Sequence, residues 1–300
     1  YVIGIDYGSD SCRALVVDVQ DGRTVASSVC YYPRWKAGMY CDASQNRYRQ
    51  HPLDYIESLE CAVKDALTEC GKEVASHVKG IAFDTTGSTP VMVDRSGTPL
   101  ALLPELSENP DAMFILWKDH TAAQEAAEIN ELAHSWPVDY TQYSGGSYSS
   151  EWFWAKALHV MRNDALVREQ AFSIVEHCDW MPALLTGNTD PIKMKRSRCA
   201  AGHKAMWNAE WGGFPSQEFL SAIDPLFDGY RSHISNETDT ADTLAGYLTE
   251  EWSTRLGLPR QVAVAVGVID AHSGAIGAGI EPHSIVRIMG TSTCDIAVAS

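Results

Sequence analysis

The sequence predicts an α/β fold whose sheet begins with three antiparallel strands. Short runs rich in β-branched residues occupy the start of the chain, at residues 2–6, 13–19 and 24–30. Asp21 and Gly22 form a strong turn signal between the second and third runs, so these two strands should pair as a hairpin. A helix signal follows only at His51 and Pro52, because proline suits the first helical position. This opening differs from that of a dinucleotide-binding fold, in which a helix follows the first strand.

The rest of the chain continues with helices and strands in alternation. Apolar residues three to four apart over residues 53–70, followed by Gly71, predict a long helix. Further helices are predicted at residues 120–134, 151–162, 179–185, 250–256 and 271–279. Further strands are predicted at residues 79–84, 91–93, 261–266, 285–288 and 295–299. Residues 186–215 follow neither period and are predicted to be irregular.

Composition and charge exclude several classes of protein. Of 300 residues, 45% are hydrophobic, which is enough for a sizeable core. The 39 acidic residues against 23 basic ones give a net charge of −16, which disfavours nucleic acid and anionic membranes as partners. The sequence has no apolar run of membrane-spanning length, and residues 1–6 do not resemble a signal peptide. We therefore expect a cytoplasmic protein that binds neither nucleic acid nor membrane.

The eight cysteines predict neither a disulfide framework nor a metal site. None of them forms a C-x-x-C pair, and a core of this size does not need disulfides. We therefore expect eight reduced thiols. Cys199 and His203 lie four residues apart, but the sequence shows no second pair of ligands beside them, so it does not predict a zinc site.

A turn between the first two predicted strands is the first candidate site. Its small and hydroxyl-bearing residues offer backbone N–H groups and hydroxyls to phosphate oxygens. Asp6 is suited to hold Mg²⁺ through water, and Arg13 is suited to pair with phosphate. The alternative is an ordinary β-hairpin turn. The candidate residues are Asp6, Gly8, Ser9, Asp10, Ser11 and Arg13.

A second turn of the same chemistry lies near the other end of the chain. Gly290, Thr291, Ser292 and Thr293 again place glycine and hydroxyls between two predicted strands. A plain hairpin turn is again the alternative. Two such turns in one chain suggest two sides of a single phosphate-binding site.

Two further candidates are an aspartate and a lysine. Asp270 follows the apolar strand 261–266 and precedes a helix of small residues, so it is either a general base at a strand end or a plain N-cap. Lys204 stands between His203 and Trp207 in the segment predicted to be irregular. A lysine and a tryptophan together suit a sugar, whereas the alternative is a solvated basic loop.

Taken together, several segments resemble the FGGY family of carbohydrate kinases, and among them its ribulose-phosphorylating branch. The resemblance covers nearly the whole chain. Its segments are GIDYGSDSCRALVVD (4–18), YYPRW (31–35), DTTGSTP (84–90), ENPDAMFILWKDHTA (108–122), GGSYSSEWFWAK (145–156), AGHKAMW (201–207) and IMGTSTCDI (288–296).

The resemblance implies a two-lobed fold of the ribonuclease H/actin/hexokinase kind, with ATP, Mg²⁺ and a sugar meeting in a cleft. The implied activity is ATP-dependent phosphorylation of L-ribulose to L-ribulose 5-phosphate in L-arabinose breakdown. Asp270 matches the family's catalytic base, and the two turns match its phosphate-binding hairpins. The positions that match sugar contacts are Gly87, Trp117, Asp119, Tyr148, Lys204 and Asp270.

The same resemblance divides the chain unevenly. Residues 1–283 match a first lobe, and residues 284–300 match only the first hairpin of a second lobe, so we expect these 300 residues to be inactive by themselves. A non-catalytic sugar-binding fragment, another pentulose or polyol kinase such as a xylulokinase, and an actin-like sugar sensor are the alternatives. The oligomeric state, including a homodimer, stays open.

Overall fold

Strands form the centre of the fold. The computed structural model describes residues 1–290 and 293–298, so the predicted site residues Thr291 and Ser292 lie outside the described residues. The strands are β1 (Val2–Tyr7), β2 (Ser11–Val17), β3 (Thr24–Tyr31), β4 (Cys41–Asp42), β5 (Arg47–Gln50), β6 (Gly80–Thr85), β7 (Pro90–Val93), β8 (Phe114–Ile115), β9 (Ser173–Glu176), β10 (Arg196–Ser197), β11 (Thr238–Asp239), β12 (Leu244–Tyr247), β13 (Ala263–Ala265), β14 (Val268–Ile269), β15 (Ile285–Met289) and β16 (Thr293–Ala297).

Helices follow or separate these strands. The α-helices are α1 (Pro33–Lys36), α2 (Pro52–Cys70), α3 (Lys72–Ser76), α4 (Ala123–Ser135), α5 (Phe153–Asn163), α6 (Ala165–Gln170), α7 (His177–Thr186), α8 (Arg198–Lys204), α9 (Gln217–Ile223), α10 (Glu250–Leu256) and α11 (Asp270–Gly277). Short 3-10 helices lie at Ala43–Gln45, Leu100–Leu102, Pro104–Leu106, Pro110–Ala112, Gln142–Ser144, Ala209–Trp211, Pro225–Phe227 and Tyr230–His233. In the part of the chain that the structure describes, no helix has the length and apolar character needed to cross a membrane.

The main sheet is mixed and has the strand order β12-β13-β6-β1-β2-β3, with β14 also paired to β6. Strands β1, β2 and β3 are neighbours and antiparallel, which confirms the opening predicted from the sequence. Strand β6 runs parallel to β1, β13 and β14. The carboxyl ends of these parallel strands therefore meet at one edge of the sheet, which is where α/β folds bind ligands.

Two large clusters of buried apolar side chains form the core of the described residues. In the first, α2 lies against β2 and β3, and its Leu59 and Val63 are fully buried. The second surrounds α5, where Trp154 and Leu158 are fully buried. Burial of one such leucine contributes roughly 1.5–3 kcal/mol. This packing fixes the sheet edge that carries the polar residues described below.

One disulfide corrects the expectation of eight reduced thiols. Cys30 on β3 and Cys61 on α2 are bonded, with their Cα atoms 6.1 Å apart. They are 31 residues apart in sequence, and only the packing of α2 against β3 brings them together. The other six cysteines are free thiols.

Segment 186–215 also departs from the expectation, because it contains helix α8. The helix begins after Ser197, whose hydroxyl accepts a hydrogen bond from the Ala200 N–H, and this N-cap replaces a missing backbone partner. The apolar residues of α8 are consecutive, from Cys199 to Ala201, and end at Gly202, so they show no helical spacing in the sequence. The predicted helices elsewhere overlap α2, α4, α5, α7, α10 and α11.

Candidate active site

A cleft of about 800 Å³ lies at the carboxyl edge of the parallel strands. It gathers residues from β1, β2, β6, α8, α11 and the β15–β16 hairpin, which are far apart in sequence. Eleven of the residues predicted from the sequence line it: Asp6, Gly8, Ser9, Asp10, Ser11, Arg13, Gly87, Trp117, Lys204, Asp270 and Gly290. Among the described residues, Asp119, Tyr148 and Thr293 do not line it.

Three aspartates converge in this cleft because of the strand register. Asp84 on β6 lies opposite Asp6 on β1 and also opposite Val268 on β14. The third carboxylate, that of Asp270, follows β14 directly. Burial raises the pKa of Asp84 to about 8, and the nearby negative charges of Asp6 and Asp270 act in the same direction. Asp84 therefore holds a proton near neutral pH unless a cation balances the site.

The geometry of Asp84 fits a cation at this point. Its Oδ1 atom is buried and has no hydrogen-bond partner among the described residues. Carboxylate oxygens are the ligands that Mg²⁺ prefers. Arg13 instead donates a hydrogen bond to Asp6, with Nη1 2.9 Å from Oδ2, and both side chains are partly exposed. The carboxylates of Asp6 and Asp84 thus form a donor set that suits Mg²⁺, with Arg13 beside it.

The turn between β1 and β2 is held from three sides. Gly8 N donates to Ser11 O at 2.9 Å within the turn. Gln50 donates its side-chain amide to Ser9 O at 2.7 Å, and Trp117 donates its indole N–H to the Ser9 hydroxyl at 2.9 Å. The turn is therefore ordered without a ligand. This favours binding, because little conformational entropy is lost when a ligand binds.

Asp270 is the first residue of α11, and the N-cap position belongs to Ile269. The plain N-cap alternative is therefore wrong. The Asp270 carboxylate accepts the N–H of Ala271 through Oδ1 at 2.6 Å. Burial raises its pKa to about 6, so it is largely ionised at neutral pH and still basic enough to accept a proton.

Lys204 ends helix α8 and lines the same cleft as Asp270. Its ammonium lies 5.1 Å from the ring centre of Trp152, a cation–π contact. Burial lowers its pKa, and the carboxylates of Glu176 and Glu151 oppose that effect. A half-buried lysine at a helix end matches neither the solvated loop nor the irregular segment expected from the sequence.

Two predicted sugar contacts occupy supporting positions instead. Asp119 is fully buried, and its carboxylate accepts from Arg49 Nη1 and from Tyr48 N, both at 2.7 Å. Although burial acts to raise its pKa, the charge of Arg49 keeps the pKa of Asp119 below its ordinary value. Asp119 therefore anchors β5 and lies outside the residues that line the cleft.

Tyr148 likewise lies beneath the cleft surface. It is buried, and its hydroxyl donates to the backbone carbonyl of Lys204 at 2.6 Å. The same hydroxyl accepts the N–H of Trp154 at 2.9 Å. Tyr148 therefore positions Lys204 from behind, so it is a positioning residue for the cleft. Thr293 is the first residue of β16 and contributes no side chain to the cleft wall.

A buried lysine holds the wall that carries Gly87 and Trp117. Lys156 on α5 donates to the carbonyls of Ser88 at 2.7 Å, Leu116 at 2.8 Å and Ile115 at 3.3 Å. Glu176 accepts from the Ser88 hydroxyl and from the Thr89 N–H on the same wall. A Cβ at Gly87 would lie 2.8 Å from the Ile269 side chain, so a larger residue here would require that side chain to shift.

Sequence reasoning missed Asp84, Glu151 and His272, which also line the cleft. Asp84 carried a usable signal, since it is an acid at the end of a predicted strand. Its importance depends on β6 running parallel to β1, which the sequence does not show. His272 carried no signal beyond its place two residues after Asp270.

Comparison with known proteins identifies the family. Residues 1–277 match the family described as "FGGY family of carbohydrate kinases, N-terminal domain". The chain is 53% identical to the ribulokinase of Vibrio parahaemolyticus over 99% of its length, and 36% identical to that of Geobacillus thermodenitrificans over its whole length. It covers 52% and 53% of these two proteins, so it spans about half the length of the curated relatives it matches.

Solved structures agree on the fold. The crystal structure of xylulose kinase from Rhodospirillum rubrum superposes with a TM-score of 0.78, covering 99% of this chain and 55% of that one. The two sequences are 19% identical, so this likeness speaks for the fold alone. The predicted α/β lobe of the ribonuclease H/actin/hexokinase kind, with its mixed sheet, is thereby confirmed. The match over residues 1–277 shows that the chain belongs to the FGGY family of carbohydrate kinases.

Proposed function

We propose that these residues form the sugar-binding lobe of an ATP-dependent kinase that converts L-ribulose to L-ribulose 5-phosphate. The observation that carries the proposal is the placement of Asp270, a carboxylate whose pKa is raised to about 6, in one cleft with Lys204 and the β1–β2 turn. A base, a sugar-binding cation and a phosphate-binding turn are the parts that phosphoryl transfer to a hydroxyl requires. Ribulokinase relatives at 53% and 36% identity support the choice of sugar.

In this proposal Asp270 accepts the proton of the sugar hydroxyl that attacks the terminal phosphate of ATP. Its Oδ1 is engaged by the Ala271 N–H, which leaves Oδ2 for the substrate. Lys204 donates hydrogen bonds to sugar oxygens, and the Trp117 ring covers an apolar face of the sugar. The wall of Lys156 and Glu176 holds Gly87 and Trp117 in place for this contact.

The phosphates of ATP would meet the β1–β2 turn and Gly290. Asp6 and Asp84 would hold Mg²⁺, which when bound neutralises phosphate charge. Arg13 is placed to exchange its hydrogen bond with Asp6 for one with a phosphate oxygen, because both side chains are partly exposed. Thr291, Ser292 and Thr293 belong to the same proposed phosphate loop.

We also propose that residues 1–283 make up this lobe and that residues 284–300 begin a second one. The β15–β16 hairpin forms a separate two-stranded sheet that contacts α11, which supports the division. The curated relatives are about twice as long, so we expect the 300 residues alone to bind the sugar but to release little or no ADP. A cytoplasmic location is part of the proposal, because that compartment supplies ATP.

Calorimetric titration of the chain with L-ribulose, and separately with D-xylulose, tests the choice of sugar. Saturable binding of L-ribulose that is lost in Lys204→Met supports the proposal. Tighter binding of D-xylulose would favour a xylulokinase, and binding of neither sugar would contradict the proposal. A coupled ADP assay on the same chain separates sugar binding from turnover.

A further inference from the structure

Three potential metal ligands meet beside the cleft, and the proposed phosphoryl transfer uses none of them. Cys199 Sγ, a ring nitrogen of His203 and a ring nitrogen of His272 all lie within 4.8 Å of one another. Cys199 and His203 come from α8, and His272 comes from α11. The sequence shows the spacing of Cys199 and His203 but predicts no zinc site, because His272 lies 73 residues after Cys199 and only the fold brings it near.

The fold explains why the three side chains meet. Residues four apart lie on one face of a helix, so Cys199 and His203 project from the same side of α8. Cys199 packs beside Ile269, the residue that precedes α11. His272 therefore enters from the first turn of α11, with its Nδ1 3.0 Å from Cys199 Sγ. The rings of His203 and His272 lie with their centres 4.2 Å apart.

The hydrogen bonding of His203 already has the form that a metal-bound histidine shows. Its Nδ1 lies 2.9 Å from the backbone carbonyl of Cys199. A carbonyl only accepts, so Nδ1 carries the proton and the lone pair is on Nε2. Metal-ligating histidines usually donate their second ring N–H to a carbonyl or carboxylate in this way, which fixes the ring.

The spacing suits a tetrahedral ion with small adjustments. With Zn–S near 2.3 Å and Zn–N near 2.0–2.1 Å, two ligand atoms of a tetrahedral site lie about 3.4–3.6 Å apart. The 3.0 Å separation between Cys199 and His272 would open by about half an ångström. His203 is exposed, so its side chain can shift slightly while Nδ1 keeps its hydrogen bond to the Cys199 carbonyl.

We propose that Cys199, His203 and His272 bind a zinc ion that joins α8 to α11. Thiolate and imidazole ligands select Zn²⁺ over Mg²⁺, which prefers oxygen. Three protein ligands leave a fourth position for water. Because α8 ends at Lys204 and α11 begins at Asp270, the ion fixes the spacing between these two helices. The proposal involves only these three side chains, so its test requires neither the sugar nor ATP.

Titration of the chelator-treated chain with Zn²⁺ against a colorimetric chelator tests the proposal. The unchanged chain should bind one equivalent of Zn²⁺. Loss of a hydrogen-bond partner of a metal ligand weakens metal binding roughly 10–100-fold. Loss of a ligand itself should weaken Zn²⁺ binding by more than that in each of three variants, Cys199→Ser, His203→Asn and His272→Asn. Cys70→Ser and His134→Asn remove a half-buried thiol and an exposed imidazole elsewhere, and they should leave Zn²⁺ affinity unchanged.

Co²⁺ provides a readout that a merely structural cluster would not give. The chain with bound Co²⁺ should show thiolate-to-metal charge transfer in the near ultraviolet, together with visible bands of a tetrahedral ion. Both should vanish in Cys199→Ser. Because His203 is exposed, His203→Asn should fold normally. This variant therefore still tests the proposal if Cys199→Ser or His272→Asn fails to fold. Equal Zn²⁺ affinity in the chain and in His203→Asn, or a Co²⁺ spectrum without charge transfer, would overturn the proposal.

Discussion

The indole nitrogen of Trp117 lies 2.9 Å from the hydroxyl oxygen of Ser9, to which it donates a hydrogen bond across 108 residues of sequence. This contact joins the wall proposed to cover the sugar to the turn proposed to bind phosphate. Lys156 supports the wall from below through the carbonyl of Leu116. The two halves of the proposed site are therefore mechanically connected before a substrate binds.

We predict that Ser9→Ala and Trp117→Phe each lower the free energy of unfolding by about 0.5–1.5 kcal/mol, the usual net value of one hydrogen bond. Both changes remove the same contact, so the double variant should lose clearly less than the sum of the single losses. Urea denaturation of the four proteins measures this coupling. Fully additive losses would show that the hydrogen bond does not form in solution.

We predict that Asp270→Asn lowers the rate of L-ribulose-dependent ADP release about 10²–10⁴-fold. Asparagine keeps an oxygen to accept the Ala271 N–H but cannot accept a proton from the sugar. Because Asp270 is not the N-cap of α11, the unfolding midpoint should hardly change. The rate is measured in a protein that contains these residues together with the proposed second lobe, because turnover is expected to need both.

Asp10→Asn is the matched control for that change. Asp10 lies in the same cleft and accepts the Ser11 hydroxyl at 2.8 Å, but it has no proposed proton to take. The rate of ADP release by Asp10→Asn should stay within about tenfold of the rate of the unchanged protein. Loss of a general base would lower the rate much further. An equal loss of rate in Asp270→Asn and Asp10→Asn would show that Asp270 contributes only negative charge to the cleft and is not the general base.

The sequence predicted the opening of the sheet well, because that signal is local. Runs of β-branched residues broken by Asp21 and Gly22 are sufficient to predict three antiparallel strands. The meeting of Asp6, Asp84 and Asp270 depends on parallel pairing between strands distant in sequence, which no local pattern records. Its place after a predicted apolar strand singled out Asp270 as a candidate, and only the resemblance to a family assigned it the role of catalytic base.

The same distinction explains why the buried position of Asp119 and the helix α8 were not predicted. Asp119 stands in a segment typical of the family, but the burial of its carboxylate depends on Arg49, 70 residues earlier in the chain. Helix α8 is held by an N-cap and by its packing, and both are invisible to a search for periodic apolar residues. The Cys30–Cys61 disulfide was not predicted because it depends on packing between residues that are 31 positions apart in sequence.

We predict that Lys204→Met weakens L-ribulose binding at least tenfold while the melting temperature changes little. Methionine keeps the apolar stem over the Trp152 ring and removes only the ammonium group. Lys118→Met is the control, since Lys118 also lies over an aromatic ring, 4.3 Å from the centre of Tyr48, but does not line the cleft. Titration calorimetry and scanning calorimetry give the two quantities. A collapse in melting temperature with unchanged sugar affinity would make Lys204 a packing residue.

Lys156→Met should instead destabilise the fold by at least about 2 kcal/mol. The change leaves buried carbonyls of Ser88 and Leu116 without their donor, and each unsatisfied buried group costs about 1–3 kcal/mol. Urea denaturation at neutral pH gives the free energy of unfolding. Lys64→Met is the control, because Lys64 is exposed and pairs only with Glu60 on its own helix, so its loss should cost under about 1 kcal/mol.

The loss in Lys156→Met should also depend on pH. Burial lowers the pKa of Lys156 from 10.5 to about 7 in the folded chain, so between these values the unfolded chain binds more protons than the folded one. The free energy of unfolding contributed by this lysine therefore rises with pH across that window. Urea denaturation from pH 7 to pH 10 gives the free energy of unfolding of both proteins. As the pH rises, the unchanged protein should become increasingly more stable than Lys156→Met. A difference that stays constant with pH would show that Lys156 remains fully charged in the folded chain.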